Sequence, residues 1–278
     1  MNGKRILAAT DFTEQSLAAL EYAVYIANRL NARIDLVYVA EKKIVREKVE
    51  DKIAYKSKLE NIYQQLEQVK IKSGAAFRIS DHVIFSDKSF YEEIIDYGTE
   101  HAFDLCCLGV SSSAKHTLGD NTEQLVKTAD FPILTCREVK RPIQFKNLLL
   151  PIDLTIYTNE KVDRIIQFAK QFDAVIHLLA VSEFFEELIN NASVLNEKME
   201  HAAQQIRNEG LKCVTEIIKN DYVNNSILEY AEEIDAELLV IMSKQENRIL
   251  ELFLGSRVNK VIGQSKIPVL SFRPEEDD

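Results

Sequence analysis

Along this chain, short uninterrupted apolar runs alternate with longer stretches in which apolar residues fall three and four positions apart. Runs such as ILAAT, LCCLG and ILTC are too short for helices and read as buried parallel strands. Between them, Leu20, Ala23, Val24 and Leu30 keep the spacing of one helix face. In the first half the pattern predicts strands over roughly 4–10, 34–40, 77–84, 104–108 and 132–136. Helices are predicted over roughly 14–30, 44–72, 89–101 and 120–129. Strict alternation of the two implies an α/β fold, a parallel sheet with helices on both faces.

The same pattern returns in the second half. Residues 4–39 align without gaps on residues 146–181 at a shift of 142, so that Lys4 falls on Lys146, Asp11 on Asp153 and Val39 on Val181. FPILTCR (131–137) aligns with IPVLSFR (267–273) at a shift of 136, with Gly119 on Gly255. The chain is therefore an internal duplication, and the change of shift predicts a second copy six residues shorter in its middle. Ser89-x-x-Glu92 and Ser226-x-x-Glu229 both have the form of a capping box and are taken to start equivalent helices. A length of 278 residues suits two domains, placed at 1–140 and 144–278, with Pro142 in the joining segment.

Charge and composition narrow the function. A net charge of −10 argues against a nucleic-acid surface. No apolar stretch reaches the ~20 residues that span a bilayer, and the N-terminus has no signal-peptide form. A cytoplasmic protein without membrane or nucleic-acid partners is expected. Cys106, Cys107, Cys136 and Cys213 show no metal or redox spacing and read as reduced core residues. The five histidines are scattered; His116, beside Lys115, is the one to watch, and no metal site is indicated. No nucleophile or P-loop motif appears, so no catalytic residue is assigned.

The openings ILAATDFT and LLLPIDLT, and the ending LGSRVNKVIGQSKIPVLSF with its Gly-Ser and Pro-led last strand, resemble the universal stress protein family over nearly the whole chain. The resemblance implies two tandem adenine-nucleotide alpha-hydrolase-like (Rossmann-like) domains, each a five-stranded parallel sheet flanked by helices, packed as an intrachain pseudo-dimer. It also implies ATP with Mg²⁺ as the ligand of many members, held by an early Asp, a Val and a glycine segment. Carried onto this chain, the nucleotide-binding candidates are Asp11, Val39, Gly109, Ser112, Gly119, Asn121 and Thr122 in the first copy. In the second they are Asp153, Val181, Ser243, Gly255, Ser256 and Arg257.

Both copies depart from the family segment. In the first, Ser112 replaces a glycine, Gly119 follows Gly109 by ten residues rather than thirteen, and Asp120 stands where Ser or Thr is expected. An anionic side chain there repels phosphate unless it holds a bound metal ion. In the second, Met242 or Ser243 takes the first glycine's place and Glu246 lies near the second, while Gly255-Ser256 is kept before its expected helix. Each candidate also has a plain structural role: Asp11 and Asp153 as turn caps, Val39 and Val181 as strand core, and the glycines as turns before helices. The expectation is a stress-response or regulatory protein that acts by binding rather than turnover. Two ligand classes stay open: an adenine nucleotide in one copy with slow hydrolysis at most, or a different small ligand or protein partner. A homodimer of chains is open as well.

Overall fold

The computed structural model describes residues 4–41, 49–75, 78–111, 118–152, 158–182, 185–243 and 251–274. Its elements fall into two compact units. The first contains β1 (Arg5–Ala9), α1 (Glu14–Leu30), β2 (Arg33–Glu41), α2 (Val49–Lys72), β3 (Ile79–Ser86), α3 (Phe90–Glu100), β4 (Leu105–Gly109), α4 (Asp120–Thr128) and β5 (Ile133–Cys136). The second contains β6 (Asn147–Ile152), α5 (Thr158–Phe172), β7 (Val175–Ser182), α6 (Phe185–Asn208), β8 (Lys212–Lys219), α7 (Val223–Glu233), β9 (Leu238–Met242), α8 (Glu251–Gln264) and β10 (Val269–Phe272).

Within the first unit the strands lie in the order β3-β2-β1-β4-β5, and within the second in the order β8-β7-β6-β9-β10. The ladders are parallel, with Ile6 opposite Ile34 and Leu105, and Leu148 opposite Ile176 and Leu238. Central strands buried on both faces need apolar residues at every position. β1 and β6 supply them: Ile6, Leu7 and Ala8, and Leu148, Leu149 and Leu150, are all buried. The strand order reverses between β1 and β4, and between β6 and β9, which places a crevice at the carboxyl ends of those strands.

The helices are set by their apolar faces and their caps. Thr13 caps α1, its hydroxyl accepting from the Ser16 N–H, and Asn31 closes the helix in the left-handed conformation (φ 54°). Asp173 takes the same conformation after α5 (φ 52°). At α3 the expected capping box is present, with the Ser89 N–H donating to Glu92 Oε2 at 3.0 Å. The matching motif in the second copy is not a cap. Ser226 lies inside α7, is buried, and its hydroxyl meets no hydrogen-bond partner, while Tyr222 occupies the N-cap.

The reason is register. From β8 to β9 the second copy follows the first at a shift of 133, as in Leu105 against Leu238, so Tyr222 and not Ser226 corresponds to Ser89. The second copy is thus nine residues shorter up to β8 and regains three between β9 and β10, which refines the single six-residue difference read from the aligned ends.

At the amino ends of the strands each unit carries a polar clamp. Asp104 Oδ2 accepts the Arg5 N–H at 2.8 Å, and Glu237 Oε2 accepts the N–H groups of Lys146 and Asn147 at 2.7 and 2.6 Å. The first unit adds an ionic network around the buried Asp35. Its carboxylate meets Arg5 Nη2 at 2.5 Å, the Tyr97 hydroxyl at 3.2 Å and His82 Nε2 at 3.5 Å. Arg5 also lies over the Phe103 ring, 4.6 Å from its centroid. Burial and the adjacent Asp35 carboxylate push the Tyr97 phenol up to about 12. In the second copy His177 stands at the position of Asp35, paired with Asn147 at 3.3 Å, and burial pushes its imidazole down.

Candidate functional site

The first unit gathers its candidates at the carboxyl edge where β1 and β4 run side by side. Thr10 is anchored by its N–H to the Val37 carbonyl at 2.9 Å, and its hydroxyl accepts the Phe12 N–H at 3.0 Å. Phe12 is thereby turned into the left-handed region (φ 66°), which a bulky residue rarely adopts. Its ring stacks on Tyr38 with 5.2 Å between centroids. Asp11, exposed at the tip, accepts both the Thr13 N–H (3.1 Å) and the Thr13 hydroxyl (2.6 Å), each at Oδ1. Burial at the strand end raises its pKa, but these bonds outweigh that and hold the carboxyl below its usual value. Asp11 is therefore the turn cap that sequence allows. Val39, half-buried two residues before the end of β2, lies on the same edge, opposite Ile84.

The two glycines separate into different roles. At Gly109 a Cβ would fall 2.3 Å from the Gln15 carbonyl carbon and 2.4 Å from the Ser16 nitrogen, both backbone atoms of α1. This glycine lets the first turn of α1 press on the end of β4. Gly119 is the N-cap of α4 in extended conformation (φ −67°), with nothing within 4 Å of a Cβ. Alanine at 119 should leave stability within about 0.5 kcal/mol of wild type in urea titration. The free N–H groups of the α4 first turn, which includes Asn121 and Thr122, point out of the helix start. Asp120 in that turn is exposed and complements the helix dipole. Ser112, Lys115 and His116 lie outside the described residues.

The second unit assembles less. Asp153 and Glu246 lie outside the described residues. Val181 is half-buried near the end of β7, opposite Ile218. By register Met242 occupies the place of Gly109, and it is buried. Ser243 is committed to the Phe272 carbonyl through its N–H (2.9 Å) and its hydroxyl (3.3 Å). Gly255, Ser256 and Arg257 were expected at a helix start, but α8 begins at Glu251. Glu-Leu-Phe-Leu sustains a helical turn, so the N–H groups of Gly255 and Ser256 fall beyond the free ones of the helix end. The sequence missed the Phe12–Tyr38 stack, whose signal was two aromatics beside two strand ends.

A sequence profile of the universal stress protein family matches this chain twice, over residues 3–137 and 144–273. The chain belongs to the universal stress protein family. It is similar to a universal stress protein of Synechocystis, at 22% identity over 300 residues, covering 97% of this chain and all of that one. A universal stress protein of Methanocaldococcus jannaschii matches one copy, at 29% identity, over 45% of this chain and 81% of its own. Among solved structures, a universal stress protein from Archaeoglobus fulgidus shares the tandem fold, with a TM-score of 0.73 at 20% identity, over 99% of this chain and 97% of that one. Among the described residues of this universal stress protein no helix is long and apolar enough to cross a membrane, and no cluster of metal-ligating side chains occurs.

Proposed function

We propose that this universal stress protein acts in a stress or regulatory response by binding a small ligand of the adenine-nucleotide class in its first unit, not by efficient turnover. The observation that carries the reading is Asp11. It is exposed at the switch point of strand order, and its hydrogen bonds with Thr13 and Ser16 hold the carboxyl below its usual value against the opposing effect of burial. Beside it the Phe12–Tyr38 stack and Val39 offer apolar surface to a planar ring. The start of α4 lies on the same edge, and with Asp120 in its first turn it suits a phosphate that arrives with a metal ion.

Binding rather than turnover is supported by the state of the thiols. Cys106, Cys107 and Cys136 are buried, and desolvation pushes all three up, Cys136 to about 12. They are protonated and poor nucleophiles at neutral pH. In the second unit, Met242 in the place of Gly109 and the committed Ser243 support a copy that has given up this site.

Calorimetric titration of the full chain with adenosine and with Mg-ATP tests the proposal. One site per chain is expected, weakened tenfold or more in Asp11→Ala and unchanged in Asp153→Ala, with turnover far below about 1 s⁻¹. No heat and no thermal shift at millimolar concentrations of either compound would sink it.

A further inference from the structure

The outer strand of the second unit is less covered than that of the first. β8 contains no buried residue, whereas β3 begins and ends on buried Ile79 and Ser86. Among the described residues no strand pairs with the free side of β8. Val214 in its middle is 44% exposed, and Tyr222, just beyond its end, is 73% exposed. The two faces of the strand are told apart by their neighbours. Burial pushes the Cys213 thiol up to about 11, with the charge of Arg207 on α6 pulling the other way. Burial and the Glu216 carboxylate push up the phenol of Tyr230 on α7. Side chains alternate along a strand. Cys213, Thr215 and Ile217 therefore face the α6 layer, and Lys212, Val214 and Glu216 face the α7 layer.

The row facing α7 is left open because α7 packs over β7 rather than β8. In the first unit the matching side is filled by Asp35, His82 and Tyr97. In the second, His177 stands opposite Val214 in the ladder and reaches back to Asn147. Lys212 and Glu216 are exposed and make no salt bridge among the described residues. An edge strand of this length, with free N–H and C=O groups, is a template for another strand. Charges on such an edge ordinarily discourage pairing. Here one arrangement turns them into attraction.

We propose that β8 pairs antiparallel with β8 of a second copy of this chain, about a two-fold axis through Val214. A two-fold axis perpendicular to the sheet keeps each face on its own side. Facing residues must then come from the same row, so the axis passes through a residue and not between two. An axis through Glu216 sets like charges directly opposite, which destabilises a sheet. One through Thr215 sets Val214 against Glu216 and Lys212 against Ile218, and one through Cys213 sets Lys212 against Val214. The axis through Val214 sets Lys212 against Glu216 twice, Val214 against itself and Leu211 against Ile217. Unlike charges and apolar side chains then meet their own kind of partner, and the open edge of each unit is closed. The interface is independent of any ligand in the first unit.

Sedimentation of the full chain tests this, with wild type, Lys212→Glu, Glu216→Lys and the double exchange. Wild type should sediment at twice the mass of one chain at micromolar concentration. Each single reversal meets a like charge at two places in the symmetric interface and should raise the dissociation constant at least about tenfold. The double exchange should bring it back to within about threefold of wild type. Both positions are exposed, so the fold tolerates either charge. Val214→Cys should form an intermolecular disulfide on mild oxidation, because facing Cα atoms of an antiparallel pair lie about 4.5–5.5 Å apart. Wild type should not, since Cys213 faces Thr215 of the other copy. A monomer at several hundred micromolar overturns the proposal. A dimer insensitive to all three charge variants overturns the β8 interface and places the association elsewhere on the chain. A dimer that fails to link in Val214→Cys, or that links in wild type through Cys213, overturns the axis through Val214.

Discussion

Replacing Gly109 by alanine should destabilise the first unit by about 3 kcal/mol, the upper end of what over-packing costs. The added methyl group would lie 2.3–2.5 Å from Gln15 and Ser16 backbone atoms. A flexible side chain could swing aside; the first turn of a helix cannot. Either α1 lifts from β4 along its length, or β4 bends away from β1. The melting transition of the first unit should fall by about 10 °C. Hydrogen exchange of amides in β1 and β4 should rise with it, while β6 and β9 stay protected. Wild-type protection in β1 and β4 would mean that the α1 seat is softer than its backbone contacts indicate. The comparison with alanine at 119, expected to be silent, makes the pair informative: two glycines of one segment, one structural and one permissive.

The second large effect is at Asp35. Asp35→Ala would leave Arg5, Tyr97 and His82 without the carboxylate on which they converge. Removing one partner of a buried ion pair costs about 3–5 kcal/mol. The lower figure applies here, because the Arg5 side chain is 34% exposed and can turn to water. Denaturant titration should show a loss of about 3 kcal/mol in the first unit, and Tyr97 should ionise closer to its ordinary value of 10.0 once the neighbouring charge is gone. Glu209→Ala is the contrast. Its pair with Lys170 is roughly half exposed on both sides, so the loss should stay below about 1 kcal/mol. A loss at Asp35 no larger than at Glu209 would show that the network contributes nothing beyond surface pairing.

Much of this architecture could be read from the sequence because parallel strands buried on both faces must be continuously apolar, as in ILAA and LLL. The duplication was legible where both copies keep gapless spacing, through Asp11 and Asp153. It blurred in the middle, where Ser226-x-x-Glu229 mimics a cap. Four residues suffice to write that motif, whereas the ladders that fix the register join strands far apart in sequence. The site was legible as letters and not as roles. Gly109 and Gly119 look alike in the chain, and only the position of α1 tells a packing requirement from a helix start. Asp35 drew no reading from the sequence, because its partners lie 30 and 62 residues away.

The clamp at the amino end of the strands bears on how the protein is made. The Arg5 N–H waits for Asp104, 99 residues later, and Lys146 waits for Glu237, 91 residues later. A ribosome adding about 5–20 residues per second leaves each first strand without its second neighbour for about 5–20 s. During that interval β1, and later β6, has one edge unpaired and both faces apolar. The nascent chain is then most in need of shielding, and slowing translation ahead of Asp104 would lengthen that exposure.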